Sequence, residues 1–223
     1  SMPKIEHAII MAAGRGSRMM PLTNSIPKAM AKLGASTLIV NGIEKIQKVL
    51  HNIHITVGYK KSDLAKHVIE HNVSTVLNTE GKGNAWWIFN TLLKNLDEPI
   101  FVLTCDNVID LDFEKLANDY FELGEPACMV VPVQPIEGLE GDFIFESNNV
   151  VQELNRSKKN GKYCSGIQVL NPKKINLLVN AEDDFYNVWE QLISQNQLYC
   201  SNVSPQRWFT VDTMEQLEKV NGI

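Results

Sequence analysis

The sequence predicts an α/β protein built on a mixed, mostly parallel sheet. Two observations carry this expectation. Short β-branched runs alternate with longer stretches of helical period, which is the pattern of successive βα units. An apolar run from His7 to Ala12 also passes directly into a glycine and arginine loop, "AAGRGSR", as a strand does when it ends over a ligand. With 223 residues, 44% of them hydrophobic, the chain can bury one sizeable core and reads as a single domain over residues 3–223.

The elements follow in order. "HAIIMA" (7–12), "NIHITV" (52–57), "STVLN" (74–78) and "PIFVLT" (99–104) read as strands. Helical stretches follow at Thr37 to Leu50, Ser62 to Glu70, Asn84 to Leu96 and Phe113 to Leu123. After Gly124 the texture changes to close-spaced strands, "ACMVVPV", "DFIFES", "VVQEL" and "SGIQVLN", separated by turns such as Asn148-Asn149 and Asn160-Gly161. Helices at 172–180 and 184–195, a short strand pair near 198–211 and a last helix from Thr213 complete the expected fold.

Composition narrows the function. The 21 basic and 26 acidic residues leave a net charge of -5, so no global basic surface exists for nucleic acid or an anionic membrane, and any anion site must be local. No apolar run reaches the roughly 20 residues that span a bilayer, and the N-terminus carries no signal-like pattern. Ser1-Met2 reads as a cloning remnant. The 4 cysteines are widely spaced, without a C-x-x-C pair, which argues against a disulfide framework or a zinc knuckle and fits a cytoplasmic protein.

The loop after the first strand suits phosphate. Small residues at Ala12, Ala13, Gly14 and Gly16 let the backbone turn sharply and aim free N–H groups at a ligand. Arg15 and Arg18 supply forked donors for phosphate oxygens, and Lys28, fixed by Pro27, supplies a point charge. A dinucleotide fingerprint would need glycine where Arg18 stands, and "VGYK" offers no acidic residue for a ribose, which disfavours an NAD oxidoreductase. A Walker loop would need G-K-[ST].

"AIIMAAGRGSRMMPLTNSIPKAM" resembles the N-terminal signature of the nucleotidyltransferases that make NDP-sugars and CDP-alcohols. The resemblance continues through "VGYK", "GNAWW", "FVLTCDN", "SGIQVLNP" and "WFTVDTMEQL", nearly the whole chain. It implies a Rossmann-like three-layer α/β/α sandwich, with a nucleotide-binding part in 3–124 and an acceptor-binding part in 125–223. It also implies a Mg²⁺-dependent reaction in which an NTP is joined to a phosphorylated small-molecule acceptor and pyrophosphate leaves. The expected acceptor is a sugar 1-phosphate, and phosphocholine or a phosphonate is the alternative. Arg15 and Arg18 would hold the β- and γ-phosphates and Lys28 the α-phosphate. Asp106, at a strand end where such sheets gather ligands, would hold Mg²⁺.

The departures from the family pattern are informative. Sugar-nucleotide members carry an Asp where this chain has Thr210; here the Asp is residue 212, as in the choline-phosphate cytidylyltransferase branch, and Asp212 is the expected second metal ligand. Period-2 alternation keeps residues 210 and 212 on one strand face. The competing role for Asp212 is the N-cap of the last helix, with Glu215 completing a capping box. Asn84 is expected at the base or ribose, and Trp86 replaces the glycine that lets the base lie close. Trp86, Asp142 in "EGDF", Lys158 in "RSKKNGK" and Gly166 are the expected acceptor residues. Trp86, Trp87, Trp189 and Trp208 offer the aromatics of a cation cage, with core packing the favoured reading. "HVIEH" (67–71) matches an inverted zinc motif without an identifiable third ligand and reads as a solvated helix face. Cys105 reads as packing beside Asp106. An inactive nucleotide-binding module is the alternative of another class, disfavoured by the retention of Arg15, Arg18, Lys28 and Asp106.

Overall fold

The computed structural model describes residues 3–223, so Ser1 and Met2, read as a cloning remnant, lie outside it. The chain forms two compact interleaved units. One comprises Glu6–Lys82, Leu103–Asp110 and Arg207–Ile223; the other comprises Gly83–Val102, Leu111–Gln206 and the extreme N-terminal residues.

The first unit holds three parallel strands, with His7–Met11 paired to Asn52–Val57 and that strand paired to Thr75–Asn78. Helix Leu38–Gln47 buries Leu38, Ile39, Val40, Ile43 and Ile46, the i, i+3, i+4 stripe that its sequence predicts. Its start is fixed by the Thr37 hydroxyl, which accepts from the Val40 N–H. Ile9, Ile10, Ile39, Ile43, Ile46, Ile53 and Ile55 are fully buried in this unit. At about 1.5–3 kcal/mol for each such side chain, their burial is the main source of stability under the loop. A second cluster, Met19, Ala31, Leu38, Val211 and Leu217, packs the chain after the loop against the C-terminal segment.

The second unit is built around strand Tyr163–Leu170, antiparallel to Cys128–Val133 and to Ile100–Val102. Leu198–Cys200 lies parallel to Cys128–Val133 and also meets Val150–Asn155, which pairs in turn with Phe143–Ser147. Its helices are Trp86–Asn90, Phe113–Glu122, Pro172–Leu178 and Phe185–Ser194. Trp87, Phe101, Tyr120 and Phe185 are its largest fully buried side chains.

Three expectations change. The helix expected over Asn84 to Leu96 is helical only at Trp86–Asn90 and ends at Thr91, whose extended backbone starts a 3₁₀ turn at Leu92–Asn95. The Thr91 hydroxyl donates to the Trp87 carbonyl and accepts from the Leu93 N–H, so it caps both pieces. The two strands near 198–211 are not partners of each other. Arg207–Thr210 pairs with Asn107–Asp110, a strand the sequence reading missed, while Leu198–Cys200 joins the other unit. The last helix is capped by Thr213 and Gln216, not by Asp212 and Glu215.

Candidate active site

The first strand delivers the loop. Ala12 at its end is held by a hydrogen bond from its N–H to the Thr56 hydroxyl, 3.0 Å away. Gly14 has open space around it, and Gly16 turns the chain at φ 65. A Cβ at Gly16 would stand 2.8 Å from the Lys28 Cβ, so glycine is required here both for the left-handed backbone and for the position of Lys28. The Thr23 hydroxyl donates to the Gly16 carbonyl at 2.7 Å and closes the loop. Arg15 donates to the Thr23 carbonyl at 2.8 Å and to Asn24 Oδ1 at 3.1 Å. Arg18 is mostly exposed, with its guanidinium 3.7 Å from Asp212 Oδ1.

Beside the loop the chain after Leu103 runs along the first strand, where the Cys105 N–H donates to the Met11 carbonyl. This brings Asp106 to the mouth of the loop. The Asp106 carbonyl accepts the Val211 N–H at 2.8 Å, which brings in Asp212. Lys28 Nζ donates to Asp106 Oδ2 at 3.1 Å and to Asp212 Oδ1 at 2.6 Å. Thr210 donates to the other Asp212 oxygen at 3.0 Å, so the residue that replaces the family's usual aspartate orients the aspartate that remains. Asp212 is released from capping because Thr213 and Gln216 form the capping box themselves.

The electrostatics follow from crowding. Burial opposes the charge on Lys28, but the Asp106 and Asp212 carboxylates outweigh it and raise the Lys28 pKa, so the ammonium is a fixed cation. Burial raises the Asp106 pKa against the pull of Lys28; at Asp212 burial acts the same way, but the Lys28 hydrogen bond prevails and the pKa is lowered. Burial pushes the Cys105 thiol up to about 12, which makes it a packing group and no nucleophile.

The donor set can hold a hard divalent cation. Two carboxylates already converge on one cation, the Lys28 ammonium, and oxygen pairs of this kind suit Mg²⁺ with substrate oxygens and water completing the shell. Among the described residues no group of three or more His, Cys, Asp and Glu side chains is arranged to hold a metal. In "HVIEH" the His67 ring bonds to the Thr37 hydroxyl at 2.8 Å.

The other expected residues lie in the second unit. Asn84 Oδ1 accepts the Phe185 N–H at 2.8 Å, so its oxygen pins the backbone and its amide N–H groups remain the ones to offer a ligand. Trp86 is half-buried, whereas Trp87 is core. Gly166 sits at φ 89 within the irregular register of strand Tyr163–Leu170. Asp142 is only 7% exposed and its Oδ1 has no hydrogen-bond partner among the described residues. Burial raises its pKa. Arg156 stands 3.8 Å from that oxygen with its side chain mostly exposed, whereas Lys158 lies over the Phe145 ring. Arg156 carries no sequence signal of its own, because its nearness to Asp142 comes from the pairing of Phe143–Ser147 with Val150–Asn155.

Comparison with known proteins shows the fold and the family. A mannose-1-phosphate guanyltransferase of Debaryomyces hansenii is 26% identical over 184 residues, covering 76% of this chain and 51% of that protein. The chain therefore spans about half the length of this curated relative. Two solved structures share the fold. A Bacillus anthracis protein assigned as a glucose-1-phosphate thymidylyltransferase superposes with a TM-score of 0.78 at 19% identity, covering 97% of this chain and 94% of that one. The CTP:phosphocholine cytidylyltransferase of Streptococcus pneumoniae gives 0.77 at 22%, covering 99% of both chains. The Rossmann-like α/β fold is therefore present, with a mixed sheet and flanking helices. The model of the nucleotidyl transferase family matches residues 7–221, from the first strand into the last helix, and the chain belongs to that family.

Proposed function

We propose that this chain transfers a nucleoside monophosphate from an NTP to a phosphorylated small molecule, most readily a sugar 1-phosphate, and releases pyrophosphate. The observation that carries this reading is the bridge of Lys28 between Asp106 and Asp212 at the mouth of the glycine loop. An acceptor phosphate must attack the α-phosphorus in line while charge grows on the leaving pyrophosphate. Loop N–H groups from Ala13 to Gly16 and the guanidinium groups of Arg15 and Arg18 meet the β- and γ-phosphates, and Lys28 moves from the carboxylates to the α-phosphate. Asp106 and Asp212 would hold a Mg²⁺ ion, which would supply charge neutralisation to bound phosphate. No protein nucleophile is needed. Asn84 meets the nucleoside, and Trp86 stands against the acceptor. Asp142 accepts a hydrogen bond from a hydroxyl of the acceptor, and Arg156 and Lys158 meet the acceptor phosphate.

A second acceptor class has its own support. Asp142 Oδ1 is buried with no hydrogen-bond partner among the described residues, and Glu190 adds negative charge around it, while Arg156, 3.8 Å away with a mostly exposed side chain, offsets part of that charge. That environment suits the cationic head group of a phosphocholine-like acceptor as well as a sugar hydroxyl. The free cysteines, Cys105, Cys128, Cys164 and Cys200, fit a cytoplasmic enzyme. The test is pyrophosphate release with Mg²⁺, each of CTP, UTP, GTP, dTTP and ATP, and panels of sugar 1-phosphates and phosphorylated amino alcohols. Release with a sugar 1-phosphate supports the first class, release with an amino-alcohol phosphate the second, and nucleotide binding without release from any pair overturns both in favour of an inactive nucleotide-binding module.

A further inference from the structure

The turn Gly58-Tyr59-Lys60, between strand Asn52–Val57 and helix Lys61–Ile69, lies directly against the glycine loop. A Cβ on Gly58 would stand 2.8 Å from the Ala13 carbonyl oxygen, so only glycine lets the two backbones meet at this distance. The Tyr59 N–H donates to that same Ala13 carbonyl at 3.2 Å. At the other end of the loop the Tyr59 hydroxyl donates to the Thr23 carbonyl at 2.5 Å, which also receives Arg15 Nη1 at 2.8 Å. Between these two anchors the Arg15 guanidinium carbon stands 4.0 Å from the Tyr59 ring centroid.

Arg15 is therefore held on one face by the ring and along one edge by acceptors. Its Nη2 bonds to Asn24 Oδ1 at 3.1 Å and contacts Met20 Sδ at 3.6 Å. A guanidinium has five N–H donors. Those contacts leave part of the fork for a ligand, in a plane fixed before the ligand arrives. An arginine with free side-chain torsions would lose that freedom on binding phosphate, and a pre-set one does not.

We propose that Tyr59 is the positioning residue of the triphosphate site: its ring, stacked on the guanidinium, fixes the plane of Arg15, so that the polyphosphate meets an ordered guanidinium. This rests on the reading of Arg15 as a β- and γ-phosphate ligand, and the experiment separates the two claims. The probe is magnesium tripolyphosphate, which carries the phosphates without a base, titrated calorimetrically. The variants are Tyr59→Phe, which keeps the ring, and Tyr59→pentafluorophenylalanine, which keeps the ring shape but reverses its quadrupole, each made also in an Arg15→Met background.

Tripolyphosphate affinity should fall at least tenfold in Arg15→Met, stay within threefold of wild type in Tyr59→Phe, and fall about fivefold further in the fluorinated variant. In the Arg15→Met background the two ring variants should bind alike, because the group they position is gone. The two rings have nearly the same shape, so a merely structural role would not separate them. Equal affinity of the two rings in the Arg15 protein, or the same fivefold difference surviving in Arg15→Met, overturns the role of Tyr59. Wild-type affinity in Arg15→Met overturns the phosphate role of Arg15 itself, and the positioning role with it.

Discussion

Replacing Lys28 by methionine keeps the length of the side chain and removes its charge. Its Nζ stands 3.1 Å from Asp106 Oδ2 and 2.6 Å from Asp212 Oδ1, so those oxygens are no more than about 6 Å apart. At an effective dielectric near 20, two unit charges at that separation repel by about 3 kcal/mol once the ammonium is gone. For a chain of this length such a loss lowers the melting temperature by roughly 6–12 °C, and by less where one carboxylate takes up a proton. The same removal takes away a preorganised cation from the reacting phosphate, worth about 3–4 kcal/mol, or a loss in turnover of about 10²–10³-fold. Added Mg²⁺ should raise the melting temperature of Lys28→Met more than that of the wild type, because the two carboxylates are then without their resident cation. Steady-state turnover and thermal melts with and without Mg²⁺ measure both effects. Turnover within a few-fold of wild type, or melting insensitive to Mg²⁺ in the variant, would refute the assignment of this triad.

Asp212→Asn should keep the last helix capped by Thr213 and Gln216 but melt lower through loss of its ion pair with Lys28, while its turnover at low Mg²⁺ falls and recovers as Mg²⁺ is raised; wild-type turnover at low Mg²⁺ would remove Asp212 from the metal pair. Gly58→Ala should reduce polyphosphate affinity and cost about 1–3 kcal/mol of stability, because the added methyl meets the Ala13 carbonyl; unchanged melting and affinity would show that the turn moves freely. Trp86→Ala should change which triphosphate or acceptor is preferred, whereas a large stability loss with unchanged preference would make Trp86 core. His54 is buried between His7 and Thr75, and burial lowers its pKa to about 4. The unfolded imidazole binds its proton near pH 6.5 and the folded one does not, so His54 contributes roughly 3 kcal/mol of stability that is present above pH 6.5 and lost as pH falls toward 4. Denaturant melts of His54→Gln should fall less steeply over that window, and an unchanged slope would contradict the shift.

The parallel strands, the glycine loop and Lys28 were legible because each is local: a strand of buried isoleucines, a turn that needs glycine, a lysine fixed by proline. The roles of residues 107 to 110 and 207 to 212 were not, because they depend on pairing between segments about 100 positions apart. Asn107–Asp110 lacks a strand-like sequence and is held by Arg207–Thr210. Sequence made Asp212 the expected metal ligand with the helix cap as its competing role, and the fact that bears on the cap, that Gln216 reaches back to the Thr213 and Asp212 N–H groups, follows from a side-chain choice that spacing does not specify. Arg156 was hidden for a similar reason. Its nearness to Asp142 arises from the antiparallel pairing of Phe143–Ser147 with Val150–Asn155.

The most direct test runs the proposed reaction backwards, since that direction needs no prior choice of acceptor phosphate. The protein is incubated with Mg²⁺, pyrophosphate and each of a panel of UDP-, GDP-, dTDP- and CDP-sugars together with CDP-choline, and the nucleoside triphosphate formed is measured. The account predicts triphosphate from at least one member of the panel, and none from folded Asp106→Asn with that same compound. Triphosphate formed equally well by Asp106→Asn, or by no member of the panel with a wild-type protein that binds polyphosphate, would contradict it.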